Sequence, residues 1–556
     1  MSGQRKSSVP LGDLEIIEHH PQQVLEAFRC GEFDQIEIIG EADEKEFFEL
    51  CFKEKILLAL AEQMPTARKK EEVPRWFHLA AQLSLKLHLE NSYSAFERVV
   101  QCGGLLSALP PEVASKHLDA QTKEIWLQCR GFNDKNEYPR KTPCDDDTLR
   151  KAVKDVPAKD WLKWFNEGSQ QIFQRYGFFD PAGIFLGDGS YLFVPDNRAY
   201  EGSVVLWFDE HNHPVDYDKL SAEERKKAHR ERCYKLVSLV HVRGDCYVYA
   251  AAALVAGNVH ECPILYELVE RFVQAVGQGV MKLLILDRGF IDGTSISRCK
   301  AKWGIDVLIP LKKKMDIWED AWALGHRECW QSFAVSVPAA KVPAKQRPER
   351  IARREAKRQQ TLAQRRAPPA PAQVLTHREF CWLKGFNSWS AATVPIHVLL
   401  MRERYADAHK DEWGLMTTRA YTDVQQPRAD YQHRVKIEER HRLLKCFHDL
   451  SDFCSRDFNV ITAQVVFILL SYTLRQWQLW KLHQEELAGG TPGLMRRRLN
   501  LRKQYVVIYL AHAYAQMPLI RFTREVLELE PQARAKALAK VRKLEQSLLN
   551  PLDDTS

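Results

Sequence analysis

The chain has 556 residues, enough for about three or four domains, and its 45% hydrophobic content is ample for buried cores. Its formal net charge of +7 is modest for this length, so overall charge argues only weakly for a nucleic-acid partner. The 13 cysteines include no Cys-x-x-Cys pair, which disfavours a structural zinc site, and no signal peptide precedes them to indicate a disulfide framework. A cytoplasmic, reducing location is the expectation.

The first 150 residues are predicted to be helical, because Trp76, Leu79, Leu83 and Leu87 recur at helical spacing. Asp188 follows in the stretch 183–194, where an Asp-Gly pair separates two apolar runs. By itself that pattern is typical of a hairpin turn. Further along the chain, a second hairpin is predicted over 234–256.

A helix is predicted over 263–276, and His260 before it is interpreted as a helix cap rather than a ligand. Asp287 then ends the apolar run 280–286, which indicates a buried parallel strand, and a helix over 295–303 and a strand over 305–310 follow. Alternating strands and helices predict a mixed α/β sheet. Asp287 would lie at the carboxyl end of its strand, where ligands collect in such sheets.

About 150 residues separate Asp287 from Glu438, far more than a connection needs, so an inserted β-rich subdomain is predicted between them. Within it, residues 339–373 hold ten Lys or Arg, two Glu and five Pro. This composition indicates an exposed basic arm. The arm suits either tracking of a DNA backbone or a plain solvated linker.

One face of a helix is predicted to carry Tyr431, Arg434, Glu438 and Lys445, within an arc of about 60° at about 100° per residue, with Arg442 at its edge. A carboxylate flanked by two cations and a phenol is suited to holding a metal ion against a phosphate. The alternative is a solvated face with i,i+4 ion pairs such as Arg434 with Glu438.

Two strand-associated aspartates followed by a helical glutamate form a three-carboxylate set, and carboxylate oxygens are hard ligands for Mg²⁺ or Mn²⁺. Asp188, the Asp287-Arg288-Gly289-Phe290 segment and the Tyr-x2-Arg-x3-Glu-x6-Lys spacing of 431–445 resemble the DDE transposases of bacterial insertion sequences that carry the YREK signature. That family has a ribonuclease-H-like catalytic core. The resemblance covers residues 180–475.

The resemblance implies that Asp188, Asp287 and Glu438 are catalytic and bind Mg²⁺, for which Mn²⁺ substitutes. It also implies that Tyr431, Arg434 and Lys445 contact phosphates or a displaced base. Arg288 and Arg442 complete the predicted DNA-binding set, and a surface charge explains Arg288 equally well. The implied activity is hydrolysis at transposon ends and transfer of the freed 3′-OH into target DNA. Two alternatives remain open: a metal-dependent nuclease without strand transfer, and an inactive or domesticated DNA-binding protein.

The implied partners are the terminal inverted repeats and the target, both double-stranded DNA, and a second copy in a synaptic complex. The implied location is the bacterial cytoplasm, associated with the nucleoid when DNA is bound. No membrane segment is expected, because the apolar stretch 463–474 is too short to span a bilayer.

The predicted fold class is mixed α/β: a ribonuclease-H-like catalytic core with a β-rich insertion, plus helical N- and C-terminal regions. The predicted domains are 1–150 for binding DNA ends, 151–310 for the first part of the core, 311–428 for the insertion, 429–475 for the final core helix, and 476–556 for a helical region with a possible dimerisation role.

Overall fold

The structure, a computed structural model, describes residues 15–40, 43–69, 73–102, 104–109, 114–123, 125–129, 142, 144–326, 330–334, 375–406, 409–491 and 504–549. The chain divides into two compact units. The first comprises Met1–Gly183, Gly187–Val280 and Ile437–Ser556, and the second comprises Ile184–Leu186 and Met281–Lys436. The predicted basic arm, 339–373, lies outside the described residues.

The helices are α1 Pro21–Arg29, α2 Asp43–Lys53, α3 Ile56–Gln63, α4 Arg75–Leu87, α5 Phe96–Cys102, α6 Leu105–Ala108, α7 Asp146–Lys154, α8 Ala158–Lys163, α9 Ser169–Arg175, α10 Ala222–Lys227, α11 Glu261–Val276, α12 Gly293–Trp303, α13 Asp316–Gly325, α14 Gln426–Tyr431, α15 His433–Phe447, α16 Phe458–Lys481, α17 Leu519–Glu528 and α18 Pro531–Leu549. A π-helical segment, Trp164–Gly168, joins α8 to α9.

The strands are β1 Ile16–His19, β2 Gln35–Gly40, β3 Ala114–Asp119, β4 Ile125–Cys129, β5 Ile184–Val194, β6 Val204–Phe208, β7 Pro214–Val215, β8 His229–Arg243, β9 Cys246–Ala256, β10 Leu283–Ile285, β11 Asp306–Pro310, β12 Gln331–Ala334, β13 Leu375–Phe386, β14 Ile396–Tyr405, β15 Lys410–Thr417, β16 Gln504–Leu510 and β17 Ala513–Pro518.

Five of these strands lie in the order β9-β8-β5-β10-β11, which is the strand order of a ribonuclease-H-like core. In the first unit, β8 lies between β5 and β9 and forms an antiparallel hairpin with β9. In the second unit, the first three residues of β5 pair in parallel with β10, which pairs in parallel with β11. Helix α11 leads from β9 to β10 and α12 from β10 to β11. The predicted mixed α/β class is confirmed, although β10 is shorter than the predicted strand over 280–286.

The strands of the predicted insertion belong to the second unit. β11 pairs antiparallel with β15, and β14, β13 and β12 follow in antiparallel order. They therefore extend the sheet from β11 outward, with α13 packed beside β13 and β14. Whether 311–428 acts as a separate subdomain stays a prediction.

The terminal regions are not purely helical, so that part of the predicted fold was wrong. A six-stranded sheet of order β2-β16-β17-β1-β3-β4 combines strands from both ends of the chain. Its core includes Phe28 from α1, Ile508 from β16, Phe522 from α17 and Ala537 from α18. Short runs such as 504–510 are rich in β-branched and aromatic residues, which favours strands once a pairing partner is present.

Helix α16 is a buried core helix of the first unit. It is long and apolar enough to cross a membrane by length and composition, but 89% of its most apolar window is buried inside the protein. Asp457 caps its start by accepting hydrogen bonds from the backbone N–H groups of Asn459 and Val460. Burial of this degree is typical of a core helix, and the predicted short apolar stretch 463–474 is its middle.

Strand β9 lies at an edge, and buried polar side chains satisfy its outer N–H groups. Thr473 Oγ1 and Gln476 Oε1 of α16 accept hydrogen bonds from the N–H groups of Tyr249 and Tyr247, at 3.1 and 3.2 Å. Asn166, in the π-helical segment, bonds both the N–H and the carbonyl of Ala252 at 2.8 and 2.9 Å. The edge is therefore closed against further strand pairing.

A buried lysine gives the first unit a pH-dependent stability. Lys86 of α4 donates to Asn91 Oδ1 at 2.6 Å and to the carbonyl of Glu90 at 3.3 Å. Asn91 in turn donates to the carbonyls of Asp449 and Asp452. Burial lowers the pKa of Lys86 from 10.5 to about 8, despite the opposing pull of nearby acidic groups.

Because the unfolded chain binds this proton more tightly than the folded protein, stability rises with pH between about 8 and 10.5. We expect Lys86→Met to lose this rise. Between about pH 8 and 10.5, the free energy of unfolding of wild type should therefore increase by about 3 kcal/mol more than that of the variant. Urea unfolding of both proteins at several pH values measures the difference. Parallel stability curves for the two proteins would contradict the prediction.

Candidate active site

Asp188 lies in the middle of an uninterrupted strand. The hairpin turn predicted at Asp188-Gly189 was wrong, because β5 continues through both residues to Val194. A Cβ at Gly189 would lie 2.7 Å from Oε2 of Glu261, so a larger residue there requires the Glu261 side chain to move. The Asp-Gly pair lies in a close contact between this strand and Glu261 rather than in a turn.

His441 is the side chain that holds Asp188. Nδ1 of His441 lies 3.0 Å from Oδ2 of Asp188, and Nε2 of His441 lies 3.0 Å from Oγ of Ser238 in β8. All three side chains are buried. Sequence reasoning assigned His441 no role. The available signal was its place three residues after Glu438, about 60° away around the same helix.

A partly buried ion pair lies beside Gly189, the residue after Asp188 in β5. Lys235 of β8 contacts Glu261 Oε2 at 3.1 Å, donates to the carbonyl of Val259 at 3.0 Å, and lies over the ring of Tyr191. His260 caps α11 by accepting a hydrogen bond from the N–H of Cys262. The predicted capping role of His260 is confirmed.

Asp287 lies at the predicted strand end. It follows β10 and caps the short helical turn Arg288–Phe290, accepting a hydrogen bond from the N–H of Arg288 at 2.7 Å. Nη2 of Arg434 lies 3.7 Å from its Oδ2. The Arg434 side chain is only 8% exposed, whereas that of Asp287 is 49% exposed. Arg434, predicted to contact DNA, thus lies against one of the predicted metal ligands.

The predicted single helix face is divided between two helices. Arg434, Glu438 and Lys445 lie on α15, but Tyr431 ends α14. Between the helices, the N–H of Val435 bonds to the carbonyl of Gln432, three residues back, as in a tightened 3₁₀ turn. A residue spacing alone does not reveal such a local break.

The remaining predicted residues differ in exposure. Glu438 and Arg442 are exposed, and Arg442 pairs with Glu439 at 2.6 Å. Lys445 is partly buried, and burial lowers its pKa, although Cys446 and Asp188 oppose the shift. Arg288 is exposed beside Asp287.

The first unit therefore holds Asp188, Glu438, Arg442 and Lys445, and the second holds Asp287, Arg288, Tyr431 and Arg434. The contacts that the structure gives within the units are His441 with Asp188 and Arg434 with Asp287. Over the ranges that the structure describes, no group of three or more His, Cys, Asp or Glu is arranged to hold a metal ion.

Comparison with known proteins matches one region of the chain to a family. Residues 200–474 match the family described as "Transposase DDE domain", a range that includes Asp287 and Glu438 and begins 12 residues after Asp188. No curated protein is significantly similar to the chain.

Among solved structures, the chain is similar to a piggyBac transposase in a synaptic complex with hairpin DNA, determined by cryo-EM. The similarity has a TM-score of 0.32 and 10% identity, and it covers 97% of this chain and 86% of that one. A likeness this weak decides neither fold nor function. Over residues 200–474, the chain carries a transposase DDE domain.

Proposed function

We propose that this transposase cuts DNA at the ends of its element by Mg²⁺-dependent hydrolysis and joins the freed 3′-OH to target DNA. The family match over 200–474 carries the proposal, because it spans the second aspartate and the glutamate of the predicted carboxylate set. The buried bond between Asp188 and His441 supports it further, since that bond ties the first aspartate to the helix bearing Glu438.

The proposed ligands for the metal ions are Asp188, Asp287 and Glu438. Carboxylate oxygens are the ligands that Mg²⁺ and Mn²⁺ prefer, so the donor set fits these ions. The hydrogen bond from His441 to Asp188 fits as well, because ligating carboxylates are themselves hydrogen-bonded. When bound, such ions activate the attacking oxygen and stabilise the leaving oxygen of an in-line displacement.

The chain's own cations would position the DNA. Arg434, Lys445, Arg288 and Arg442 are proposed to contact phosphates, and Tyr431 a phosphate or a displaced base. Arginine suits this role because its guanidinium donates two parallel hydrogen bonds to phosphate oxygens. Arg434 already lies near Asp287, so in the proposed complex it would place a phosphate beside that carboxylate.

The proposed partners are the terminal inverted repeats, the target DNA and a second copy of the chain. The proposed location is the cytoplasm, which the cysteine content favours, and the resemblance to transposases of insertion sequences suggests a bacterial one. A binding role for the N-terminal region also remains a proposal.

The carboxylate role is tested with Glu438→Ala and a matched control, Glu439→Ala, on the neighbouring residue. Metal-assisted catalysis contributes several kcal/mol, so we expect Glu438→Ala to lower cleavage of end DNA by a factor on the order of 10³ or more. Glu439 pairs with Arg442 on the surface, and we expect its variant to stay close to wild type. Purified protein, Mg²⁺ or Mn²⁺ and labelled end DNA give both rates.

Strand transfer is measured in the same reactions by adding a target plasmid and following the joining of end DNA to it. Cleavage without joining would support the nuclease alternative, and binding without cleavage by wild type would support the domesticated one. Equal losses in Glu438→Ala and Glu439→Ala would contradict the assignment of Glu438.

The proposed contact between Lys445 and a DNA phosphate is tested by substitution. We expect Lys445→Ala to weaken binding of end DNA and to reduce the slope of log affinity against log salt by about one, as loss of one phosphate contact does. The control is Lys436→Ala, because Lys436 lies about 180° around the helix from Lys445 at about 100° per residue. Fluorescence anisotropy at several salt concentrations measures the slope. An unchanged slope in Lys445→Ala would remove Lys445 from the DNA contacts.

The dimer is proposed to use the outer face of α17. Ile520 and Leu527 are 85% and 65% exposed, and a separation of seven residues places them on one side of a helix. We expect Ile520→Ser combined with Leu527→Ser to make the protein monomeric in sedimentation velocity, whereas Leu58→Ser, on α3, should not. A double variant that sediments as a dimer would exclude this face.

A further inference from the structure

A buried hydrogen-bond chain leads from the Asp188 carboxylate into the protein. It runs from Oδ2 of Asp188 to His441 at 3.0 Å and from His441 to Oγ of Ser238 at 3.0 Å. The three residues are 8%, 3% and 0% exposed, respectively. Water is thus largely excluded from both bonds, and the imidazole is fixed at both nitrogens.

The direction of these bonds follows from their chemistry. An ionised carboxylate only accepts hydrogen bonds, so Nδ1 of His441 carries the hydrogen and donates it to Asp188. In the neutral ring Nε2 accepts, and the Ser238 hydroxyl donates to it. The ring of Tyr249 lies 6.2 Å from the imidazole, centroid to centroid, with 28° between the planes.

His441 is poorly placed to be a metal ligand itself. Both ring nitrogens are engaged, and ligation would require one of two buried hydrogen bonds to break. A group left unsatisfied after such a break carries a large desolvation cost. Its geometry instead suits orientation of the carboxylate beside it.

We propose that His441 is a positioning residue that holds the Asp188 carboxylate in one rotamer, so that its metal-binding oxygen keeps a fixed direction. This proposal rests on the proposed function, in which Asp188 is a ligand. Outer partners of this kind orient ligating groups and tune their affinity for the ion. His441 follows Glu438 by three residues on α15, so the helix that supplies the third carboxylate also orients the first.

Two variants separate positioning from packing. His441→Asn retains an amide N–H near the position of Nδ1 and loses the reach to Ser238. His441→Gln places its amide near Nε2 and loses the donor to Asp188. Both fill the buried space with a neutral polar side chain, so a role limited to packing predicts similar effects for the two. A positioning role predicts that only the glutamine variant loses function.

The first readout is Mn²⁺ binding to the full-length protein, followed by the electron paramagnetic resonance signal of the free ion, with thermal unfolding as a check on folding. We expect His441→Gln to bind Mn²⁺ about 10- to 100-fold more weakly than wild type. His441→Asn should remain close to wild type. Ser238→Ala leaves the bond to Asp188 in place but frees the ring, so a smaller loss is expected.

The second readout is cleavage of end DNA as a function of Mn²⁺ concentration. We expect His441→Gln to require a higher concentration for its half-maximal rate and to recover most of the rate at saturation. A fault limited to folding would instead lower the maximal rate.

Equal losses in the asparagine and glutamine variants, or a folded His441→Gln with wild-type Mn²⁺ affinity, would overturn the proposal. If His441→Gln does not fold, Ser238→Ala decides, and wild-type affinity there counts against it. A wild-type protein that binds Mn²⁺ but neither cuts nor joins DNA would refute the proposed function alone, since the variant affinities still decide the role of His441. A wild-type protein that binds no Mn²⁺ would refute both.

Discussion

The burial of a carboxylate in the middle of a strand is the constraint on which the first unit's site depends. Asp188 lies between Gly187 and Gly189 in β5 and is only 8% exposed, and a buried charge without a partner is costly. The structure satisfies it with His441, itself held by Ser238 of β8. The first unit's part of α15, from Ile437 onward, must therefore lie against β5 and β8. Glu438 lies on the same part of that helix.

Helix α16 in turn depends on its hydrogen bonds to the edge strand β9. Thr473 and Gln476 of α16 bond to β9 N–H groups, which explains why an apolar helix keeps polar residues at buried positions. Tyr249 links the two features, because its backbone bonds to Thr473 while its ring lies beside His441. Burial raises the pKa of Tyr249 well above its usual value, so its hydroxyl stays neutral. Core packing and site geometry are thus parts of one arrangement.

Local patterns predicted the β8–β9 hairpin, α11, α12 and β11, because each is specified by its own turn residues or hydrophobic period. Three features depended on distant contacts and were not predictable in this way. β2 pairs with β16 across most of the chain length, and the space beside Gly189 is set by Glu261. His441 gains its role only when folding brings it to Asp188. A sequence pattern can indicate secondary structure and candidate side chains, but it does not show which buried partner each side chain contacts.

The two aspartates are held in different ways, and this difference suits the roles proposed for them. The Asp188 bond to His441 is 3.0 Å long and buried, so breaking it would leave buried polar groups unsatisfied. The contact between Asp287 and Arg434 is looser, at 3.7 Å, and Asp287 is half-exposed. Arg434 itself is only 8% exposed. In the proposed complex, Asp287 is therefore the accessible member of this pair, while Asp188 keeps the orientation that its bond to His441 gives it.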